Sequence, residues 1–313
     1  MKKIFNSNKL VLGYVYAAKN FNKEDLIFSR LAKQKKIELV PLNIFKQIEE
    51  DEFRSQVKKC SFVYNNSAED CVVETLKTIE QMGKKVTDAS ELYYYTEDKW
   101  MFYLKCKEFG IPTPATILLS RNLVSAKTEL KRFNQWPVVL KRVYGTMGEF
   151  VRIAHNLTEA LQVIKRFWAI DCDKLPVIAQ EFIPSSSYRV TVIDKKIVQT
   201  ALKRSKNWKC TGVYGEEFEK FIIDRKLKKI INKVLDATKI NICGIDFLKR
   251  GDDWVVLEVN SQPALDFIEE EHEKLVGMVL DFLKRYHLKH NKLRAKPRKT
   301  LFKVKLPKFF NFF

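Results

Sequence analysis

Three oxygen-bearing side chains, Asp246, Glu258 and Asn260, flank a turn made of Gly251, Asp252 and Asp253. With a hairpin centred on Asp252, Asp246 falls directly opposite Glu258, and Asn260, two residues on, shares the face of Glu258. Like charges placed opposite each other destabilise a strand pair, so a bound cation is the natural compensation. A hard oxygen set without His or Cys suits Mg²⁺ or Mn²⁺, and Mg²⁺ commonly arrives with phosphates. The same spacing also fits two unrelated surface carboxylates beside a core asparagine, and spacing does not choose between them.

Two further stretches carry chemistry of a related kind. A strand ending near Lys141 runs into Gly145-Thr146-Met147-Gly148, where two glycines three apart let backbone N–H groups approach phosphate oxygens, with Lys141 near enough to neutralise them. A plain hairpin with a glycine turn reads equally from those residues. In VIAQEFIPSSSYRV (177–190) an apolar strand bearing Gln180 and Glu181 meets Pro184 and three serines. This reads as a joint between two halves, or as an ordinary strand and polar loop. Arg189 and Arg204 lie on neighbouring strands of a hairpin and could face a phosphate or a carboxylate; each alone also reads as a solvated surface charge. Only four histidines are present, three of them (His272, His287, His290) in the C-terminal helix and tail. No Ser-His-Asp or Cys-His arrangement stands out, so a protein nucleophile is not expected.

The elements that must position these residues divide into an α/β part and an α+β part. KLVLGYVYA (9–17), IELVPL (37–42), SFVYNN (61–66) and KKVTD (84–88) read as short strands between helical stretches, the first helix capped by Asn22. Such alternation predicts a small open parallel sheet. It carries neither GxGxxG nor GxxxxGK[ST], which argues against nucleotide binding there by those fingerprints. From Thr96 a helix ends at Gly110 and Pro112. Strands and helices then alternate through a hairpin at Asp194-Lys195-Lys196, a helix near 219–238, and the hairpin of Asp246 and Glu258. The expected units are 1–95 (α/β), 96–183 (with the glycine turn), 184–288 (with the acidic hairpin) and 289–313 (basic aromatic tail).

Composition narrows the class. The 313 residues are 46% hydrophobic and 30% charged, enough for a real core and against wholesale disorder. No window approaches the ~18 consecutive apolar residues of a membrane span. The basic start and short apolar run at the N-terminus, broken by Gly13, read as a strand rather than a signal peptide. Six cysteines (60, 71, 106, 172, 210, 243) show no CxxC pair, and scattered thiols point to a reducing, cytoplasmic setting. The net charge is +19, and after Asp281 no acidic residue occurs while eleven lysines and arginines do. The end, TLFKVKLPKFFNFF, mixes lysine with phenylalanine. It suits an anionic partner, whether RNA, an acidic peptide or a membrane surface, or else packs on the body or stays disordered.

Taken in order, EDKW, FGIPTPAT, PVVLKRVYGTMGEFV, QEFI, GIDFL and LEVNSQPALDFIE resemble the ATP-grasp fold, and within it the RimK-type carboxylate–amine ligases. The resemblance runs from Lys99 to about Leu283. It implies a pre-ATP-grasp domain followed by a two-lobed ATP-grasp fold, with ATP between the lobes and Mg²⁺, two ions in such enzymes, held at Asp246, Glu258 and Asn260. It further implies that Lys99 and Lys141 contact the nucleotide, and that Gln180, Glu181, Phe182 and Ile183 form the adenine hinge. The Gly145–Gly148 segment would close over the phosphates, and Arg189 and Arg204 would stabilise the transferring phosphoryl group. The implied reaction is ADP-forming amide synthesis between a carboxylate and an amine, an amino acid or peptide, through an acyl phosphate. Homo-oligomers are common among such proteins.

Three positions depart from that pattern. Ser187-Tyr188-Arg189 replaces Asp-x-Arg, which removes the acidic ribose contact. Lys209-Cys210-Thr211 replaces Arg-Ser-Asn, which keeps a charge and loses the bidentate fork. Ala264 replaces the glycine after the proline of NxxP. A catalytically quiet ATP-binding scaffold or sensor acting through the tail is the competing expectation, and an RNA-binding protein is a third, supported by charge but by no motif.

Overall fold

The computed structural model describes residues 10–45, 50–69, 71–145, 148–170, 174–209 and 217–295. Its first sheet is parallel, in the order β2-β1-β3-β4, from β1 (Val11–Tyr16), β2 (Glu38–Asn43), β3 (Phe62–Asn65) and β4 (Val86–Thr87). Helices α1 (Lys23–Gln34), α2 (Glu50–Lys59) and α3 (Val72–Gln81) make the crossovers. Asn22 caps α1 as expected: its side chain accepts from Asp25 N, and the Asp25 side chain accepts from Asn22 N. The four strands and their parallel pairing match the sequence reading.

A short turn of helix, α4 (Tyr94–Glu97), leads into α5 (Lys99–Glu108). Asp98 caps α5 by accepting from Met101 N at 2.8 Å. A second, antiparallel sheet follows, in the order β5-β8-β6-β7: β5 (Thr116–Leu119), β6 (Val138–Arg142), β7 (Val151–Ala154) and β8 (Val177–Glu181). Helices α6 (Leu123–Phe133) and α7 (Leu157–Ile170) cover it through Leu130, Ala160, Ile164 and Phe167, all buried. The Pro184 serine loop crosses to the third sheet. That sheet is antiparallel, in the order β11-β10-β9-β12-β13: β9 (Ser187–Ile193), β10 (Lys196–Arg204), β11 (Glu217–Glu219), β12 (Ile242–Arg250) and β13 (Asp253–Asn260). The expected helix near 219–238 is α8 (Arg225–Thr238). It starts later because Asp224, whose carboxylate accepts from Leu227 N and from Trp254 Nε1, both at 2.7 Å, sets its first turn.

The last helix, α9 (His272–Ala295), returns to the first sheet. Leu275, Val276, Val279, Leu280 and Leu283 join Leu12, Tyr14, Phe28 and Phe62 in one buried cluster that also takes in Ile193 and Ile242 of the third sheet. A second tie is polar. Buried Asp88, just after β4, accepts from the backbone N–H groups of Asn241 and Ile242 and from the Asn241 side chain. These contacts hold the parallel sheet against the hairpin that carries Asp246. Tail residues 296–313 lie outside the described residues, and among those described no helix is long and apolar enough to cross a membrane.

Candidate functional site

The second and third sheets face each other across a cavity of about 400 Å³, the size of a small-molecule site. Lys141 on β6 and Gln180 on β8 form one wall. Lys141 Nζ donates to Gln180 Oε1 at 2.7 Å, and Gln180 Nε2 donates to Thr116 Oγ1 at 3.0 Å, so the ammonium is held by a buried chain. Burial pushes the Lys141 pKa down to about 8; Glu258 opposes that shift and Lys99 adds to it. Two more lysines hold the glycine turn between β6 and β7. Lys99 Nζ donates to the Gly145 carbonyl at 2.7 Å, and Lys209 Nζ to the Gly148 carbonyl at 3.1 Å. Gly145 (φ 127°) and Gly148 (φ 70°) occupy backbone conformations that favour glycine. Thr146, between them, lies outside the described residues, as do Cys210 and Thr211.

On the opposite wall Asp246 pairs directly with Glu258 across β12 and β13, as the sequence reading has it, though by another route. The turn is only Gly251-Asp252, with Arg250 opposite Asp253; counted from there, Asp246 would face Leu257. A β-bulge between the Phe247–Val256 and Asp246–Glu258 pairs adds one residue and brings Glu258 into register. Buried Asp246 is gripped by two cations. Arg189 donates from Nε to Oδ1 and from Nη2 to Oδ2, each at 2.7 Å, and Lys203 Nζ donates to Oδ1 at 3.0 Å. Burial alone would raise the Asp246 pKa, but Arg189 and Lys203 outweigh it and hold the carboxyl at about 2. Burial lowers the Lys203 pKa in turn. Phe267 caps the cluster, its ring centroid 5.4 Å from the Arg189 guanidinium and 5.0 Å from Lys203 Nζ. Gly244 makes room: a Cβ there would lie 2.1 Å from Arg189 Nη1.

Asn260 Nδ2 sits 3.3 Å from Asp246 Oδ2 and 3.5 Å from Glu258 Oε1. Asp246 is thus met by donors from Arg189, Lys203 and the Asn260 amide, and Glu258 by the Asn260 amide alone, in the place a metal's charge would take. Turning that amide over would present Oδ1 as a third oxygen ligand. Among the described residues no group of three His, Cys, Asp or Glu side chains could hold a metal ion. Two carboxylates and an amide nevertheless fit Mg²⁺, which completes its shell with water and phosphate oxygens.

Arg204 requires a correction. It lies outside the cavity, half-exposed, with Nε donating to Glu219 Oε1 at 2.7 Å. Lys203, which the sequence reading passed over, takes the inward position. The cause is a second bulge. The turn at Asp194-Lys195 sets Lys196 opposite Ile193, and counting onward would put Arg204 on the face of Arg189. An extra residue between Ile197 and Gln199 shifts the register, so that Lys203 falls opposite Ser187 and points inward with it. Phe267 is the other residue missed, although it sits within the LEVNSQPALDFIE string.

A model of the RimK-like ATP-grasp domain matches residues 96–279. The chain belongs to the RimK-like ATP-grasp family. Among curated relatives it is 29% identical over 196 residues to the coenzyme gamma-F420-2:alpha-L-glutamate ligase of Methanocaldococcus jannaschii, covering 60% of this chain and 66% of that protein. It is 26% identical over 200 residues to a probable alpha-L-glutamate ligase of Haemophilus influenzae, covering 62% of this chain and 65% of that one. These matches span just under two thirds of the relatives' own lengths. Among solved structures, a RimK-domain ATP-grasp protein of Sphaerobacter thermophilus superposes with a TM-score of 0.70 at 15% identity, over 87% of this chain and 98% of the other. D-alanine–D-alanine ligase of Bacillus anthracis gives 0.70 at 16%, over 91% of this chain and all of the other. At such identities the likeness shows the ATP-grasp fold, which the three-sheet arrangement shares.

Glu181, Phe182 and Ile183 line the cavity where the chain leaves β8, together with Leu248 and Leu257. The Glu181 side chain accepts from Arg250 Nε at 3.1 Å and from Ala115 N at 3.0 Å, tying β8 to the end of β12. Ser187 is buried at the cavity edge, and Ala264 also lines it. The cavity therefore brings together Lys99, Lys141, Gly145, Gly148, Gln180, Glu181, Phe182, Ile183, Ser187, Arg189, Lys209, Asp246, Glu258 and Asn260, and leaves out Arg204.

Proposed function

We propose that this chain is an ADP-forming ligase that joins a carboxylate to the amine of an amino acid, with glutamate the first amine to test. The supporting observation is the cluster of Asp246, Glu258 and Asn260 facing Arg189 and Lys203 in a cavity that also holds the lysine-braced glycine turn. The alpha-L-glutamate ligase relatives support the choice of glutamate.

In the first step a carboxylate oxygen of the acid attacks the γ-phosphorus of ATP, and ADP leaves with the electron pair of the broken P–O bond. In the second, the amine nitrogen attacks the acyl carbon and phosphate departs. Phosphoryl transfer of this kind rests on positioning and charge neutralisation rather than on a protein nucleophile. Phe182 and Ile183, with Leu248 and Leu257, provide apolar walls for the base. Lys141, Lys99 and Lys209 surround the phosphates, and Arg189 and Lys203 face the transferring group. Asp246, Glu258 and Asn260 would hold Mg²⁺, which supplies charge neutralisation on the phosphates when bound.

The test is release of ADP and phosphate from Mg·ATP across a panel of amino acids, including L-glutamate, and acidic peptides, including tri-L-glutamate. The double variant D246A/E258A is the control. Release that needs both an acid and an amine and vanishes in the control supports the ligase. Tight Mg·ATP binding with no turnover across the panel favours the scaffold reading, to which Ser187 and Lys209 at the ribose and phosphate positions lend support.

A further inference from the structure

An acyl phosphate is open to attack by water as well as by an amine, so an enzyme that makes one must keep water from the place where it forms. On the ligase reading that place is beside Arg189 and Lys203, and an aromatic ring lies against it. Phe267, half-buried in the loop after β13, lines the cavity. Its ring centroid is 5.4 Å from the Arg189 guanidinium and 5.0 Å from Lys203 Nζ. A second ring, Phe218 of β11, stands next to it with centroids 5.2 Å apart and planes tilted at 46°.

The pair is built into the fold. Phe218 lies directly opposite Lys203 across β10 and β11, so the bulge that turns Lys203 to the cavity carries Phe218 to the same face. Its neighbours Glu217 and Glu219 take the other face and are exposed, Glu219 with Arg204. The loop that bears Phe267 is fixed on both sides. Leu265 is buried in the cluster that joins α9 to the parallel sheet. Glu271 accepts from Gln199 Nε2 at 3.1 Å and pairs with Lys220 at 2.6 Å. A phenyl ring stabilises a nearby cation through its face yet offers water neither a donor nor a strong acceptor. The two rings therefore suit a wall that keeps Arg189 and Lys203 charged and dry.

Resting on the ligase reading, we infer that Phe267, backed by Phe218, decides whether the acyl phosphate goes to the amine or to water. In the productive branch the amine nitrogen forms the C–N bond, the acyl C–O bond to phosphate breaks, and phosphate leaves with the electron pair. In the branch that the rings suppress, a water oxygen bonds to the acyl carbon and the same C–O bond breaks. One proton of that water goes to phosphate and one to solvent; the acid is regenerated and ATP is spent without an amide.

The experiment measures phosphate and amide together for full-length wild-type protein, F267A, F267L and F218A, with the acid and amine that the panel returns. The readout is the ratio of phosphate to amide, which does not depend on how much of a variant is folded. Wild type should release about one phosphate per amide, and F267A about three or more, because water then reaches the intermediate. That excess should shrink as the amine concentration is raised, since amine and water compete for one intermediate. F218A should give about a twofold excess, whereas F267L, which keeps an apolar cover of similar volume, should stay near the wild-type ratio. An unchanged ratio in F267A overturns the inference; if its rate falls with the ratio kept, Phe267 is a prop for Arg189 and Lys203. An excess that amine does not reduce also overturns it, because the extra phosphate then comes from hydrolysis of ATP itself. Should F267A make neither product, the ratio is read on F218A, and an unchanged value there overturns the inference. A panel that returns no acid and amine for the wild type overturns the ligase reading itself, before any variant is compared.

Discussion

Replacing Asp246 by alanine in metal-free protein removes the carboxylate that Arg189 and Lys203 share, and leaves both cations buried. Asp246 takes three charged hydrogen bonds of 2.7, 2.7 and 3.0 Å, and all three side chains are at most 8% exposed. Removing one partner of a buried pair costs about 3–5 kcal/mol, because the remaining charge has lost both water and counter-ion. Two cations are stranded here, so the upper end of that range is expected. The assay is urea unfolding in EDTA, where the midpoint should drop by roughly 1 to 2 M. Replacing the whole cluster, as R189M/K203M/D246A, should recover most of the loss, since apolar replacement of a buried ion cluster is commonly neutral or stabilising. The pH dependence has a defined sign. The folded-state pKa of Asp246, about 2, lies below the ordinary 3.8. Its contribution is therefore fully present above pH 4 and lost as pH falls through 2. A D246A midpoint in EDTA equal to or above that of wild type would refute the reasoning: Asp246 would then serve a bound metal alone.

Two other outcomes follow from the same geometry. K203M should reduce ligase turnover at least tenfold, while R204A, on the outer face, should stay within about twofold; similar losses in both would undo the register argument. Burial raises the Asp88 pKa to about 6, against the hydrogen bonds from Asn241 and Ile242. With the folded value above the unfolded one, its contribution is complete below pH 4 and lost as pH rises through 6, a swing of about 3 kcal/mol at most. D88N should flatten the fall in thermal midpoint between pH 4 and pH 6, and an unchanged slope would contradict the assignment.

Much of the framework was legible because it rests on local rules. Short apolar strands between amphipathic helices announced the parallel sheet, and Asn22 announced its first helix. Pro184 with its serines marked the crossing between sheets. The acidic hairpin was legible in outcome: Asp246 does face Glu258, but a longer turn was assumed where a two-residue turn and a bulge do the same work. On β9 and β10 the same kind of bulge produced an error. Both Arg204 and Lys203 are long cations, and only an irregular register decides which faces the cavity. Bulges are hard to read because the inserted residues, near Val198 and Leu257, have ordinary strand-forming side chains. Phe267 was missed for a different reason: its contact with Arg189 and Lys203 joins a loop to two strands distant in sequence, and no local pattern signals it.

The bulge on β13 has a metrical consequence. It sets Leu257 and Glu258, neighbours in the chain, on the same wall of the cavity, where a regular strand would send one of them to the far side. Their Cα atoms are joined by a single peptide link, about 3.8 Å long. Whatever rests against Leu257 and whatever binds Glu258 are thus spaced by a covalent ruler that side-chain rotation barely alters. Inserting or deleting one residue there would not lengthen or shorten the site by degrees; it would restore regular alternation and turn one of the two away from the cavity.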